Sequence, residues 1–147
     1  MTLDIEERTE LLDGVVVRLL QKNEPHVRII GMLSEIFVPG LLGSRYVARF
    51  QEPLAVNGWH GKNAPGIDVA IVARKRYAVT PDANDALAFI EVSDTTYAGK
   101  RGDRTYKIPL YVNAGVPSWI VNIPFSESET VDILGIAIPV AALFADR

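Results

Sequence analysis

Hydrophobic positions change period along the chain, and the changes mark out its elements. Glu10-Leu-Leu-Asp13-Gly14-Val-Val-Val-Arg18-Leu reads as two short strands joined at Asp13-Gly14, a dipeptide suited to a tight hairpin turn. Residues 2–9 ahead of it allow a short helical turn. Pro25 and His26 open a helix in which Val27, Ile30, Leu33, Ile36 and Phe37 recur at helical spacing, and Pro39-Gly40 ends it. Residues 46–56 read as a strand that is an edge or carries a bulge at Gln51-Glu52-Pro53, because proline cannot donate to a ladder. A loop at 57–63, a strand at 67–73, a connection at 74–86 and a strand at 87–92 follow. Residues 103–114 read as a second helix, with Gly115 at its C-terminal cap and Pro117 beyond. Pro109 would clash with the preceding turn in the middle of that helix, so the helix starts late, near Tyr106, or bends. Residues 118–122 and 130–133 read as strands. The apolar stretch 136–144 fits a strand or a helix equally.

This order predicts an α+β protein, an α/β sandwich around one central sheet. With 147 residues, no internal repeat and no low-complexity linker, the chain reads as a single domain over residues 1–147 that can bury a core. Nearly half of the residues are hydrophobic, which excludes a disordered chain. The absence of cysteine excludes disulfides, thiolate metal sites and cysteine nucleophiles. The acidic start lacks the basic and apolar regions of a signal peptide. No apolar run approaches the roughly 20 residues of a membrane span. A cytoplasmic location is the expectation.

The net charge of −3 argues against a protein that coats nucleic acid by charge alone. The charges are unevenly spread, however. Arg74-Lys75-Arg76 and the segment from Lys100 to Lys107 hold seven of the fifteen lysines and arginines, while the first thirteen residues hold five acids. The basic segments are either solvated loops or a basic rim around an acidic centre.

Chemistry enters with two acids inside apolar strands. Asp68 interrupts the run 67–72 and Glu91 the run 88–92. A carboxylate in a buried strand is unfavourable unless it is hydrogen-bonded, paired or bound to a cation. Asp68 also fits a strand-entry residue that caps nearby amides, and Glu91 a half-exposed strand end. If the two strands are neighbours, both carboxylates reach one divalent cation, and magnesium favours such hard oxygen donors. Asp103, Lys107 and Tyr111 are spaced by four and share one helix face, a pattern that also suits a surface ion pair. His60 lacks a second ligand at a metal spacing, and Trp59 fits the sheet rim. The stretch from Ser93 to Thr96 suits a phosphate contact or a turn cap.

These pieces, in their order and spacing, resemble the Uma-two family of restriction-endonuclease-like proteins, a branch of the PD-(D/E)XK nuclease superfamily. The matching residues are Glu10-Leu-Leu-Asp-Gly, His26 at the first helix, Pro65-Gly-Ile-Asp68 with two residues inserted between proline and acid, and Ile90-Glu91-Val92-Ser93. Asp103, Lys107 and Tyr111 on the second helix, Ala114-Gly-Val-Pro117 and Trp119-Ile-Val complete the set. The resemblance implies a restriction-endonuclease-like core, a central mixed β-sheet flanked by helices, and a Mg2+- or Mn2+-dependent endonuclease that hydrolyses DNA phosphodiester bonds. Asp68 and Glu91 would be metal ligands, with the backbone carbonyl of Val92 a third. The wider superfamily has a lysine where this chain has Ser93, and Lys107 from the following helix would replace it. Glu10 would be a further acid near the metal. His26 would contact phosphate or orient Glu10, and Asp103 and Tyr111 would support the helix face. Lys100, Arg101 and Arg104 would guide the DNA backbone. A homodimer is a further expectation, since many nucleases cut two strands as symmetric pairs. Ser93 and the insertion before Asp68 leave an alternative: a catalytically inactive nuclease-fold protein that acts as a nucleic-acid-binding or assembly module. A hydrolase of a small phosphorylated metabolite is a third possibility.

Overall fold

Proline and glycine set the boundaries of the elements in the computed structural model, which describes residues 9–12, 15–18, 24–56, 63–94, 107–123 and 130–139. Helix α1 spans Glu24–Gly40. Pro25 lies in its first turn, where a missing N–H is tolerated, and Pro39 lies next to its last residue. Ile29, Ile30, Leu33, Phe37 and Leu41 form the buried stripe of this segment, each contributing on the order of 1.5–3 kcal/mol by leaving water. Val27 does not join the stripe as the sequence pattern suggested; it is half exposed. At 3.6 residues per turn it lies about 90° from the stripe's centre, and Ile29 takes the core position instead.

The central sheet has four strands in the order β3 (Tyr46–Pro53), β4 (Gly66–Ala73), β5 (Ala86–Asp94) and β6 (Ser118–Ile123). The first two pairings are antiparallel and β5–β6 is parallel, so the sheet is mixed. Strands β1 (Thr9–Leu12) and β2 (Val15–Arg18) form a hairpin whose closing pair, Leu12 and Val15, brackets Asp13-Gly14. Strands β7 (Thr130–Ile133) and β8 (Ile136–Pro139) form another. The open choice at the apolar end is thereby a strand over residues 136–139; residues 140–144 lie outside the described ones.

Two expected boundaries move. The β3 ladder stops at Pro53 rather than continuing to residue 56, because the following N–H groups find other partners: Leu54 donates to the Pro65 carbonyl, Ala55 to Pro81 and Val56 to Asn63. Helix α2 is Ile108–Asn113, with Lys107 at its N-cap and Pro109 in its first turn, the late start that Pro109 favours. Gly115, at φ +76°, closes α2. Its N–H bonds the Val112 carbonyl at 3.0 Å, and that of Val116 bonds Tyr111 at 3.1 Å, the two bonds of a Schellman cap. The expected first part of this helix, from Asp103, lies outside the described residues, as do residues 2–8 and the expected loop at 57–62.

Side-chain alternation gives the sheet two apolar faces. Val69, Ile71, Ala88, Ile90 and Val92 pack with α1, Ile133 and Ile138. Ala70, Val72 and Phe89 pack with Leu110 and Tyr111 of α2. The architecture is therefore the α+β sandwich that the sequence predicts. Among the described residues no helix is long and apolar enough to cross a membrane.

Candidate active site

Asp68 and Glu91 lie on the α2 face of neighbouring strands. The register pairs Val69 with Ile90 and Ala70 with Phe89, and one further step sets Asp68 against Glu91. Both are buried, at 2% and 1% exposure. Neither is a half-exposed strand end, so each carboxylate must be held by hydrogen bonds or charge.

The holding groups are identifiable. Oδ2 of Asp68 accepts the Val92 backbone N–H at 2.7 Å. The Phe89 N–H points the other way, to the Pro117 carbonyl just before β6, and alternation turns the Val92 N–H toward β4. The β4–β5 ladder ends at Val69 and Ile90, so the Asp68 side chain supplies the bond that backbone no longer makes. This is the amide-capping role of a strand-entry aspartate, performed on the neighbouring strand. The carbonyl of the same residue lies 2.8 Å from His26 Nε2. A carbonyl only accepts, so His26 carries its proton on Nε2. Asp68 and His26 thus take both backbone polar groups of one residue, Val92.

Glu91 is held from the opposite layer. The Tyr111 hydroxyl donates to its Oε1 at 2.6 Å, a length typical of O–H on carboxylate. Tyr111 is itself fixed edge-on against Phe89, with ring centroids 4.7 Å apart. Lys107 sits one turn before Tyr111 on the same side of the helix start. It is 8% exposed, and its Nζ donates to the Gly66 carbonyl at 3.0 Å. That carbonyl is two residues before Asp68, so α2 brings an ammonium and a phenol to the acid-bearing ends of β4 and β5.

Glu10 belongs to β1, which approaches the same region. Leu11 and Ala64 exchange backbone bonds of 3.1 and 2.7 Å just before β4 begins. The side chains of Glu10 and Ser93 lie outside the described ones. Asp103, Lys100, Arg101 and Arg104 lie wholly outside the described residues. The other basic segment is structural in part. Arg74 donates to the carbonyls of Leu41, Ser44 and Tyr46. Lys75 pairs with Asp85 at 2.7 Å, a bond that holds the Asp85 carboxyl below its ordinary range and raises the lysine.

Two residues near the site carry no chemical motif in the sequence. Phe50 pairs with Val69 and Glu52 with Ile67, so Gln51 stands across from Asp68, where its φ is +55°. A left-handed conformation is unusual for glutamine; the edge-or-bulge reading of Gln51-Glu52-Pro53 was its trace in the sequence. Arg49 pairs with Ala70 on the same face; nothing in its strand's pattern distinguishes it.

Among the described residues no group of three or more histidine and acidic side chains is placed to hold a metal ion. The acidic part of the site is a pair. Magnesium is held by one or two carboxylates together with waters and phosphate oxygens, and a pair of hard oxygen donors fits that mode.

A crystal structure of a putative nuclease belonging to DUF820, from Anabaena variabilis ATCC 29413, superposes on this chain with a TM-score of 0.69. The match covers 97% of this chain and 93% of that one, at 14% sequence identity. At such identity the likeness establishes a shared fold. No family model matches the chain, and no curated protein matches it. The chain shares the α+β fold of that protein.

Proposed function

We propose that the chain is a Mg2+- or Mn2+-dependent endonuclease that hydrolyses DNA phosphodiester bonds, as the resemblance to the Uma-two and PD-(D/E)XK nucleases implies. The observation that carries the reading is the pair Asp68 and Glu91, buried on one face of adjacent strands. The fold shared with a DUF820 protein described as a putative nuclease supports it. Asp68, Glu91 and the Val92 carbonyl would hold the cation. His26 uses one of the two lone pairs that a carbonyl oxygen offers.

A divalent cation supplies Lewis-acid polarisation of a phosphate and lowers the pKa of water. The protein's own groups do the positioning. The Val92 N–H fixes Asp68, and Tyr111 fixes Glu91, so neither carboxylate must reorganise when substrate arrives. Lys107 brings a positive charge to the start of β4, where it would orient the attacking water or neutralise charge developing on the phosphate. Lys100, Arg101 and Arg104 would contact the DNA backbone, and a homodimer would present two such sites.

Ser93, in the place of the superfamily's lysine, favours the competing reading of an inactive nucleic-acid-binding module. A crystal soaked in manganese separates the metal-site claim from it. The proposal expects a cation within about 2.0–2.6 Å of oxygens from both Asp68 and Glu91. Absence of manganese from these carboxylates at saturating concentration would contradict it.

A further inference from the structure

The sheet face that bears the acids also bears a cation whose bonding is incomplete. Arg49, Ala70 and Phe89 form one cross-strand row. Gln51, Asp68 and Glu91 stand in the next row, two residues along, about 7 Å away at strand spacing. Arg49 is part-buried. Its Nε is fully shielded and finds no hydrogen-bond partner among the described residues. A guanidinium is always charged, and an unmet buried donor on a charged group costs more than one on a neutral group. Native structures rarely keep such a group without a reason.

Its surroundings show what the reason is. Ala70, its cross-strand neighbour, is the smallest residue in the row. Tyr77 is close enough that the Arg49 charge opposes the rise that burial imposes on the phenol, but the Tyr77 hydroxyl is given to the Ala73 carbonyl at 2.6 Å. The nearby acid Asp85 is engaged by Lys75. The planar fork of arginine matches the oxygens of a phosphate.

We infer that Arg49 is an anion-binding residue that takes a phosphate of the nucleic-acid strand next to the phosphate held at Asp68 and Glu91. The inference rests on the nuclease reading for the identity of the strand, and on the register and the unmet Nε donor for the site. It assigns β3 to the substrate-binding surface, in addition to the phosphate contacts the sequence suggests at His26, at Ser93 to Thr96 and around Lys100. Arg49 would position the strand and leave the cation site intact.

Two probes test it. The first is inorganic phosphate, titrated while the Arg49 Nε–H resonance is followed by NMR and assigned by its loss in Arg49→Lys. A saturable shift is expected; a resonance that does not move overturns the inference. The second is a short fluorescent duplex DNA bound in EDTA, so that no strand is cut, over a range of salt. Arg49→Gln should lower the slope of log affinity against log salt by about 0.9, the loss of one phosphate contact, equally for unrelated sequences. Arg49→Lys, which keeps the charge, should retain the slope. An unchanged slope and affinity in Arg49→Gln overturns the inference while wild-type DNA binding keeps the nuclease reading alive. If wild type binds no DNA, the nuclease reading fails at its binding step, and the phosphate titration alone decides for or against an anion site. Should Arg49→Gln fail to fold, the phosphate titration of the wild-type Nε–H resonance decides.

Discussion

The Val92 backbone N–H donates to Asp68 Oδ2 at 2.7 Å, where the β4–β5 ladder has run out of backbone partners. One carboxylate therefore has a structural bond as well as its proposed place at a metal. Two substitutions separate these. Asp68→Ala leaves a buried N–H unmet and should cost about 1–3 kcal/mol. Asp68→Asn keeps an oxygen within reach and should cost clearly less. Urea unfolding of the two variants measures the difference; equal losses would mean that the bond does not hold the strands.

Tyr111 gives the second carboxylate its donor. Tyr111→Phe keeps the edge-on packing against Phe89 and deletes only the hydroxyl. A hydrogen bond to a charged group is worth about 1.5–3 kcal/mol, and unfolding should show a loss in that range. Metal-dependent cleavage should slow in the same variant, because Glu91 loses its fixed orientation. Wild-type stability in Tyr111→Phe would contradict the assigned bond.

Lys107 combines burial with a bond to the Gly66 carbonyl. If it orients the attacking water or neutralises the developing charge, Lys107→Met should lower the single-turnover cleavage rate by about 10²–10⁴-fold while the circular dichroism spectrum stays unchanged. A rate within a few-fold of wild type would leave the lysine a purely structural role.

Gly115 ends the helix that carries both Lys107 and Tyr111. A Cβ there meets no atom within 4 Å, yet φ is +76°. Gly115→Ala therefore isolates a backbone penalty, about 1–2 kcal/mol for an L-residue forced into this region. Thermal unfolding should shift down accordingly, and a neutral result would mean that the Schellman cap does not constrain α2.

Much of this arrangement was legible in the sequence for specific reasons. Asp68 and Glu91 stood out because each interrupts an apolar run, and burial is the property that such runs encode. Lys107 and Tyr111 were paired by helical spacing, and Pro109 told where their helix starts. Cross-strand register is not written in local pattern, so nothing in that pattern sets Arg49 and Gln51 beside the acids. His26 and Val92 are 66 positions apart, and no periodicity links them. Helical spacing alone does not locate the centre of the buried stripe, and so it includes the exposed Val27. The basic residues from Lys100 to Arg104 and the acid Asp103 remain expectations of the sequence.

The central claim is that two buried carboxylates on neighbouring strands serve metal-dependent cleavage, and conversion of supercoiled plasmid in Mg2+ or Mn2+ tests it most directly. Wild type should nick or linearise the plasmid, EDTA should stop it, and folded Asp68→Asn and Glu91→Gln should each be slower by at least about 10²-fold, the minimum expected for loss of a metal ligand's support. No metal-dependent cleavage by wild type above the level of Asp68→Asn, on duplex or single-stranded DNA, would contradict the claim.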